Sequence, residues 1–503
     1  MKKEKRSASR PLRVLIAVAL VVILVLPLCF VCVSAFAVAP VFEDTFVGEL
    51  GEKYKLLNST EEKKVVVIGG SSVAFGLDSY LMEEHLSMKV VNFGLYASLG
   101  TKIMMDLSRS GINEGDIIVL APELNAQTLS LYFNPETALQ AMDGNFEMLA
   151  DVRSENYIEL IGQLWAFGAS KLSYITSGKV PQSKPGYTKD CFNDKGDNVY
   201  DRPYNVLTTI TPSVTLDFRV DSTDGVTTEY EEFIDYVNEY TRYCRELGAT
   251  VYFSFPPVNE AFLTDYNTEE NVWAFYDNLT SALECRVISD INDYIMDEGY
   301  FFDSEFHLNN SGVTVRTVTL IDDIKRELGV STETMKREDL PEPSGYAPID
   351  FAAGDSENLY FEIQTIAAAG KIGIHITGLN EEGMKQAILY IPNNINGTPV
   401  VCISEGAFAG SAVRTIYLGE NIMELSSGAF ADAKSLKAVY VPLSKTLETP
   451  QTTISVPNNA SINGLAIRDA SSALKIYVPA SAFEVYKQDY FWSDYKNVLE
   501  PYE

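Results

Sequence analysis

Histidine is scarce in this sequence, with three among 503 residues. Any chemistry that needs an imidazole base must therefore draw on His85, His307 or His375. Cysteine is sparse and scattered. Cys29 and Cys32 lie in an apolar run, while Cys191, Cys244, Cys285 and Cys402 stand far apart. No spacing reads as a zinc site or a disulfide framework. One or two bridges remain open outside the cell, with no pairing that the sequence can assign. Positive charge is also short, at 39 basic against 69 acidic residues and a formal net charge of -30. Phosphate contacts need basic patches, which excludes nucleic acid as a partner. The same balance argues against wide contact with anionic lipid heads, and the acidity itself reads as solubility.

The N-terminus departs from that balance. Lys2, Lys3, Lys5, Arg6, Arg10 and Arg13 face a single acid, Glu4, and residues 14–42 carry no charge. About 20 apolar residues span a bilayer, whereas a signal peptide has a shorter apolar core. The run therefore predicts a transmembrane signal anchor at 14–39, behind a cytoplasmic basic segment at 1–13. The alternative is a cleaved signal, for which Ala35-Phe36-Ala37 suits a peptidase. Residues 40–62 are acidic and polar and read as a stalk.

From residue 63 the pattern becomes regular. Short β-branched runs at 64–68, 89–93, 116–121 and 250–255 read as buried strands. Helical spacing falls at 78–86, 101–110, 229–247, 268–284 and 313–328. Strands alternating with helices predict an α/β domain, a parallel sheet with helices on both faces. Residues 126–225 are rich in Tyr, Asn, Asp and Ser and read as an insertion of helices and long loops, placed where it could wall a cleft. Residues 331–360, with Pro341, Pro343 and Pro348, read as a linker. From 361 to 503 the chain repeats itself. LYIP, IYLG, VYVP and IYVP recur, and Gly406-Ala407-Phe408 returns as Gly428-Ala429-Phe430, 22 residues on. Such a period predicts a stacked solenoid in which each unit pairs a short strand with a turn that buries its phenylalanine. The last segment reads as a cap.

The first strand ends on Gly69-Gly70-Ser71-Ser72. This is either a tight turn that needs small residues or a serine held at a strand tip. A serine nucleophile needs a base within hydrogen-bond reach. His85 lies on a helix among acids and His375 on a strand of the second domain, where surface and structural roles suffice. His307, in DSEFHLNNSG, follows Asp303 and precedes a helix. A carboxylate beside it would fix its tautomer. The candidate constellation is Ser71, Asp303 and His307, with Ser72 as the alternative nucleophile.

On these residues, segment 63–330 resembles the SGNH/GDSL hydrolase superfamily. GGSSVAFG matches the nucleophile block, NFGLYASLG the second, DIIVLAPELN the third, and DSEFHLN the last. The flavour is that of the membrane-anchored cell-envelope branch, the DltD- and AlgX-like proteins. The resemblance implies a flavodoxin-like three-layer fold and acyl-ester chemistry, with oxyanion donors at the N–H groups of Ser71 and Gly94. It departs from the family at two places. Glu123 stands where an Asn-bearing block is usual, leaving Asn125 as the nearest amide, and Asp303 is four rather than three residues before His307. Residues 385–503 resemble the BspA-like leucine-rich repeats of bacterial surface proteins, which implies recognition of a surface glycan or protein without marking a residue. The expectation is a membrane-anchored extracellular serine esterase or O-acyltransferase acting on acylated envelope glycan, with no metal or nucleotide cofactor implied. The alternative is an adhesion or scaffold protein whose SGNH domain is degenerate and whose repeats bind.

Overall fold

The structure is a computed structural model. It describes residues 10–181, 183–207, 210–217, 229–331, 334–344, 356–366, 371–395, 398–442, 453–454, 470–488, 492 and 495–502. Most of the basic segment, the middle of the linker and residues 443–452 and 455–469 lie outside the described residues. The chain divides into two compact units, residues 1–204 with 213–344, and residues 205–212 with 345–503.

The first unit is α/β. Its sheet runs β2-β1-β3-β4-β5, where β1 is Lys64–Gly69, β2 Lys89–Gly94, β3 Ile117–Leu120, β4 Thr250–Phe253 and β5 Arg286–Val287. Every pairing is parallel. All six residues of β1 are buried, as a strand covered on both faces requires. Val65 and Val67 pack on Met82 of helix α4 (Ser79–Leu86) and on Leu320, Ile321 and Ile324 of α10 (Asn310–Glu327). Helix α5 (Thr101–Ser108) also packs on β1. Helices α8 (Glu229–Glu246) and α9 (Glu269–Ala282) precede β4 and β5. The cap residues explain the boundaries. The Asp78 carboxylate accepts from Leu81 N and starts α4, and Asn309 Oδ1 accepts from Gly312 N and starts α10. At the foot of the sheet, Lys64 and Asp116 form a fully buried ion pair of 2.8 Å. Asp116 also accepts from Lys64 N and Asn113 N, and Lys64 Nζ donates to Thr60 O, so both charges are well coordinated.

The expected stalk is instead part of this unit. Helix α2 (Leu50–Ser59) buries Leu50 and Leu57, and Lys53 Nζ donates to Asn92 O of β2 at 2.9 Å. Alternating polar residues concealed an amphipathic helix there. The insertion holds α6 (Pro135–Ala141) and α7 (Tyr157–Ser177). The apolar N-terminal run forms α1, Arg10–Cys32, followed by a π turn at Val33–Ala37. Among the described residues no helix is long and apolar enough to cross a membrane, so the span expected at 14–39 has no support by that criterion. Side chains of α1 such as Leu12, Ile16, Leu20 and Leu24 fall outside the described set. The six cysteines are free.

In the second unit short parallel strands repeat in register. Ile388–Tyr390, Thr415–Tyr417, Ala438–Tyr440, Lys475–Pro479 and Leu499–Tyr502 form one sheet. The recurring tyrosine of the sequence motif becomes a ladder. Tyr390, Tyr417, Tyr440 and Tyr477 stack with ring centroids 5.0, 4.7 and 4.6 Å apart. On the other side of these strands, Phe408 and Phe430 are fully buried and stack at 6.0 Å. Gly406 and Gly428, both at positive φ, turn the chain beneath them.

The Lys64–Asp116 pair generates a direct expectation. Asp116→Ala leaves a buried ammonium without its partner and lowers stability by about 3–5 kcal/mol. The check is the urea midpoint followed by a probe in the first unit.

Candidate active site

The turn after β1 sits where the strand order reverses, at the carboxyl ends of parallel strands, where open α/β sheets collect ligands. It begins a one-turn helix α3, Ser71–Ala74, which lies against the ends of β1 and β2. Glycines make that approach possible. A Cβ on Gly69 would lie 2.5 Å from Ala121 O, and one on Gly94 would lie 2.4 Å from the Val73 Cβ. A Cβ on Gly70 would run into the Glu123 carboxyl. The small residues therefore serve a steric need whether or not the serine reacts.

The serine does meet a base. Ser71 Oγ lies 2.8 Å from His307 Nε2, and His307 Nδ1 lies 2.8 Å from Asp303 Oδ1. The expected Ser71, His307 and Asp303 are brought together. The four-residue spacing of Asp303 and His307 works because the loop turns back on itself. Phe302 N donates to His307 O at 2.8 Å, and Ser304 Oγ accepts from Phe306 N and His307 N. Ser304, at the usual acid position, is thus the residue that caps the turn. Ser72, the alternative nucleophile, is fully buried, and its hydroxyl has no hydrogen-bond partner among the described residues. His85 sits in the last turn of α4, and His375 is buried in the strand Lys371–Leu379 of the other unit.

The expected oxyanion donors fare differently. Gly94 N–H donates to Asn92 Oδ1 at 3.1 Å, so it is already engaged. Asn125 is turned into its own loop, where its Oδ1 accepts from Gln127 N, Thr128 N and Thr128 Oγ1. No hydrogen bond among the described residues links it to the triad. Glu123 Oε1 accepts the N–H of Ser72 at 2.8 Å. That leaves the N–H of Ser71, at the open first turn of α3, as the nearest candidate donor. Beneath the turn, Arg316 is fully buried, donates to Gly76 O, and interacts electrostatically with Glu123; burial lowers its guanidinium to about 10.

Several residues of the site had no clear mark in the sequence. Tyr187, from the insertion, donates its hydroxyl to Asp303 Oδ2 at 2.7 Å, and its oxygen lies 2.9 Å from His307 Nδ1. Phe75 stacks on the imidazole at 4.5 Å, and Phe46 packs on both Phe75 and Tyr187. Arg202 ties three pieces together, donating to Phe75 O, Leu308 O and Asn198 O. Asp197 accepts from Ser79 and from Asn92, whose amide also donates to Val73 O. Only the tyrosine-rich composition of 126–225 hinted at this. Ser71 is 7% and His307 9% exposed, so the relay is nearly closed over. No metal-binding cluster of His, Cys, Asp and Glu occurs among the described residues.

Burial pushes the Asp303 carboxyl up, but the hydrogen bonds and charge of His307, aided by Tyr187, outweigh it and hold the group below the usual carboxylate range. Burial beside that carboxylate pushes the Tyr187 phenol well up, so Tyr187 stays a donor. A depressed acid adds stability above its unfolded pKa, and that share is lost as pH falls through its folded value. Tyr187→Phe removes one donor and moves that acid-side loss to higher pH, which a thermal melt from pH 2 to 6 reads. A hydrogen bond to a charged group is worth about 1.5–3 kcal/mol, so a reaction that uses the relay slows by roughly ten-fold or more.

No family model matches the chain, and no curated protein matches it.

Proposed function

We propose that the chain is a serine esterase or O-acyltransferase of the SGNH type, held outside the cytoplasm by α1, that acts on acyl esters of cell-envelope glycan. The observation that carries this reading is the continuous relay from Ser71 Oγ through His307 to Asp303, each link 2.8 Å. The parallel order β2-β1-β3-β4-β5 supports the flavodoxin-like three-layer form. The short parallel strands and buried phenylalanine turns of the second unit support a leucine-rich-repeat solenoid that recognises a surface glycan or protein.

In this mechanism Ser71 Oγ attacks the ester carbonyl carbon while His307 Nε2 takes its proton. Asp303 and Tyr187 hold the imidazole in the tautomer that accepts there and stabilise the imidazolium. The carbonyl oxygen becomes an oxyanion facing the N–H of Ser71. Collapse breaks the ester C–O bond, and His307 returns the proton to the leaving alcohol. Water or a sugar hydroxyl then loses its proton to His307 and attacks the acyl-Ser71. A second tetrahedral collapse breaks the acyl bond to Ser71 Oγ, which takes the proton back from His307, and leaves the acyl group on the acceptor oxygen.

A second reading keeps its place because the donors are few. With Gly94 N–H and Ser72 N–H engaged, the oxyanion has less support than a typical acyl-transfer site. Losing one such donor costs about 10²–10³ in rate. That favours either a slow enzyme or a binding protein on a degenerate scaffold.

Labelling of the full chain with a fluorophosphonate probe separates them. The enzyme reading expects labelling that falls by about 10³-fold or more in Ser71→Ala and His307→Ala and persists in Ser72→Ala. No labelling of folded wild-type protein would favour the scaffold.

A further inference from the structure

The insertion helix α7 carries an unusual surface. Ile158 is 81%, Ile161 65% and Trp165 52% exposed, at helical spacing on one side. Between Tyr157 and Ser177 the only charged residues are Glu159 and Lys171, and Lys171 is buried. Water-facing helices of a soluble unit are normally polar on that side.

This surface is not isolated. The Trp165 ring lies 4.8 Å from the Phe30 ring of α1. Val14, Leu15, Val18, Val21, Val22, Val25 and Leu26 of α1 are exposed as well. The two helices are also clamped together at the exit of α1. Lys171 Nζ donates to Ala35 O at 3.1 Å and to Asp143 Oδ1 at 2.6 Å. The other oxygen of Asp143 accepts from Val41 N and Phe42 N. Gly168 lets Ser34 in so closely that a Cβ there would lie 2.2 Å from Ser34 Oγ. The apolar side of α7 therefore cannot swing away from α1, and one medium must meet both.

We infer that α7 is an in-plane membrane-interface helix, and that Ile158, Ile161 and Trp165 sit in the outer boundary of the same bilayer that holds α1. The inference rests on the proposed anchoring by α1, not on the esterase reading. A span of about 20 residues beginning at Val14 ends near Val33. Phe30 then lies in its last turn, and Trp165 beside it falls at the depth where indole rings prefer to sit. The driving force is apolar burial, not charge. With a net charge of -30, the interaction is expected with zwitterionic lipid and to be insensitive to salt, unlike a basic interfacial helix. The device would hold the triad-bearing unit close to the membrane surface.

The test uses the full chain carrying Trp273→Phe, reconstituted into phosphatidylcholine vesicles with or without brominated acyl chains. Flotation reads the anchor, and quenching reads α7. The expected result is co-flotation together with loss of the Trp165 emission in brominated vesicles, at low and high salt. That loss is defined by difference against the same chain with Trp165→Phe. Ile158→Glu with Ile161→Glu is expected to reduce the quenching while flotation persists, because Trp165 stays beside Phe30 but the N-terminal end of α7 leaves the bilayer boundary. A chain that does not float would overturn the anchor and the α7 inference with it. A chain that floats with Trp165 unquenched would overturn the α7 inference alone. So would self-association of the unquenched chain that Ile161→Glu removes, which would assign the surface to a second copy.

Discussion

The site depends on how closely a one-turn helix can approach the ends of three strands. Gly69 faces Ala121 across β1 and β3, Gly94 faces Val73 across β2, and Gly70 faces Glu123. Any Cβ at these points would push α3 outward by more than the few tenths of an ångström that packing tolerates. With α3 in place, Ser71 stands at the strand tips while Ser72 is buried behind it. The choice between two adjacent serines is therefore made by the glycines around them. A helical turn rotates successive side chains by about 100°, so only one of the two can face His307.

The rest of the first unit braces that turn from outside the sheet. Asn92 joins α3 to β2 and, through Asp197, to the insertion. Arg202 joins the insertion to α3 and to the histidine loop, and burial pulls its guanidinium down to about 10 against the opposing field of Asp303. Lys53 brings in α2 by donating to Asn92 O and Gly196 O. These are buried polar links with multiple partners each, the arrangement in which such groups specify one geometry. Phe46 and Phe75 complete an aromatic wall with Tyr187. The insertion is thus a working part of the site, and its loops hold a hydrogen bond to the acid of the relay.

Much of the sheet was legible because its strands are buried on both faces and read as unbroken apolar runs. The 64–68, 89–93 and 116–121 runs sit within a residue of β1, β2 and β3. Ser71, Asp303 and His307 were legible because histidine is scarce and His307 alone combines a nearby acid with a place in a loop just before a helix. Tyr187 was not, because its role depends on a contact 120 residues away in the chain. The engagement of the Gly94 N–H and the placing of the Glu123 carboxyl had no mark in the sequence for a related reason. An N–H has no sequence signature, and whether it is free depends on neighbours such as Asn92 and on where a carboxyl turns. The stalk expectation failed because α2 buries only a narrow stripe, Leu50, Gly51 and Leu57 with a lysine, Lys53, whose ammonium is held inside, among otherwise polar residues.

The relay and the donor set pull the functional reading in opposite directions, and their costs are not alike. A buried serine and histidine with a half-buried aspartate and tyrosine carry a desolvation cost that apolar residues of similar volume would not. A turn that merely had to close the sheet would be more stable without them. Their mutual geometry, with every link between 2.7 and 2.9 Å, offsets that cost only while all members are present. The engaged N–H groups are a smaller obstacle. Gly94 N–H is held by a neutral side-chain carbonyl, and a competing oxyanion would be the stronger acceptor. Ser72 N–H is held by a carboxylate, which a substrate could not easily displace. Beneath the turn lies the fully buried Arg316, which also interacts with Glu123. In the proposed mechanism the carbonyl oxygen therefore draws on the Ser71 N–H and, once Asn92 yields, on the Gly94 N–H. That arrangement fits slow chemistry on an activated serine better than it fits a relay kept for structure alone.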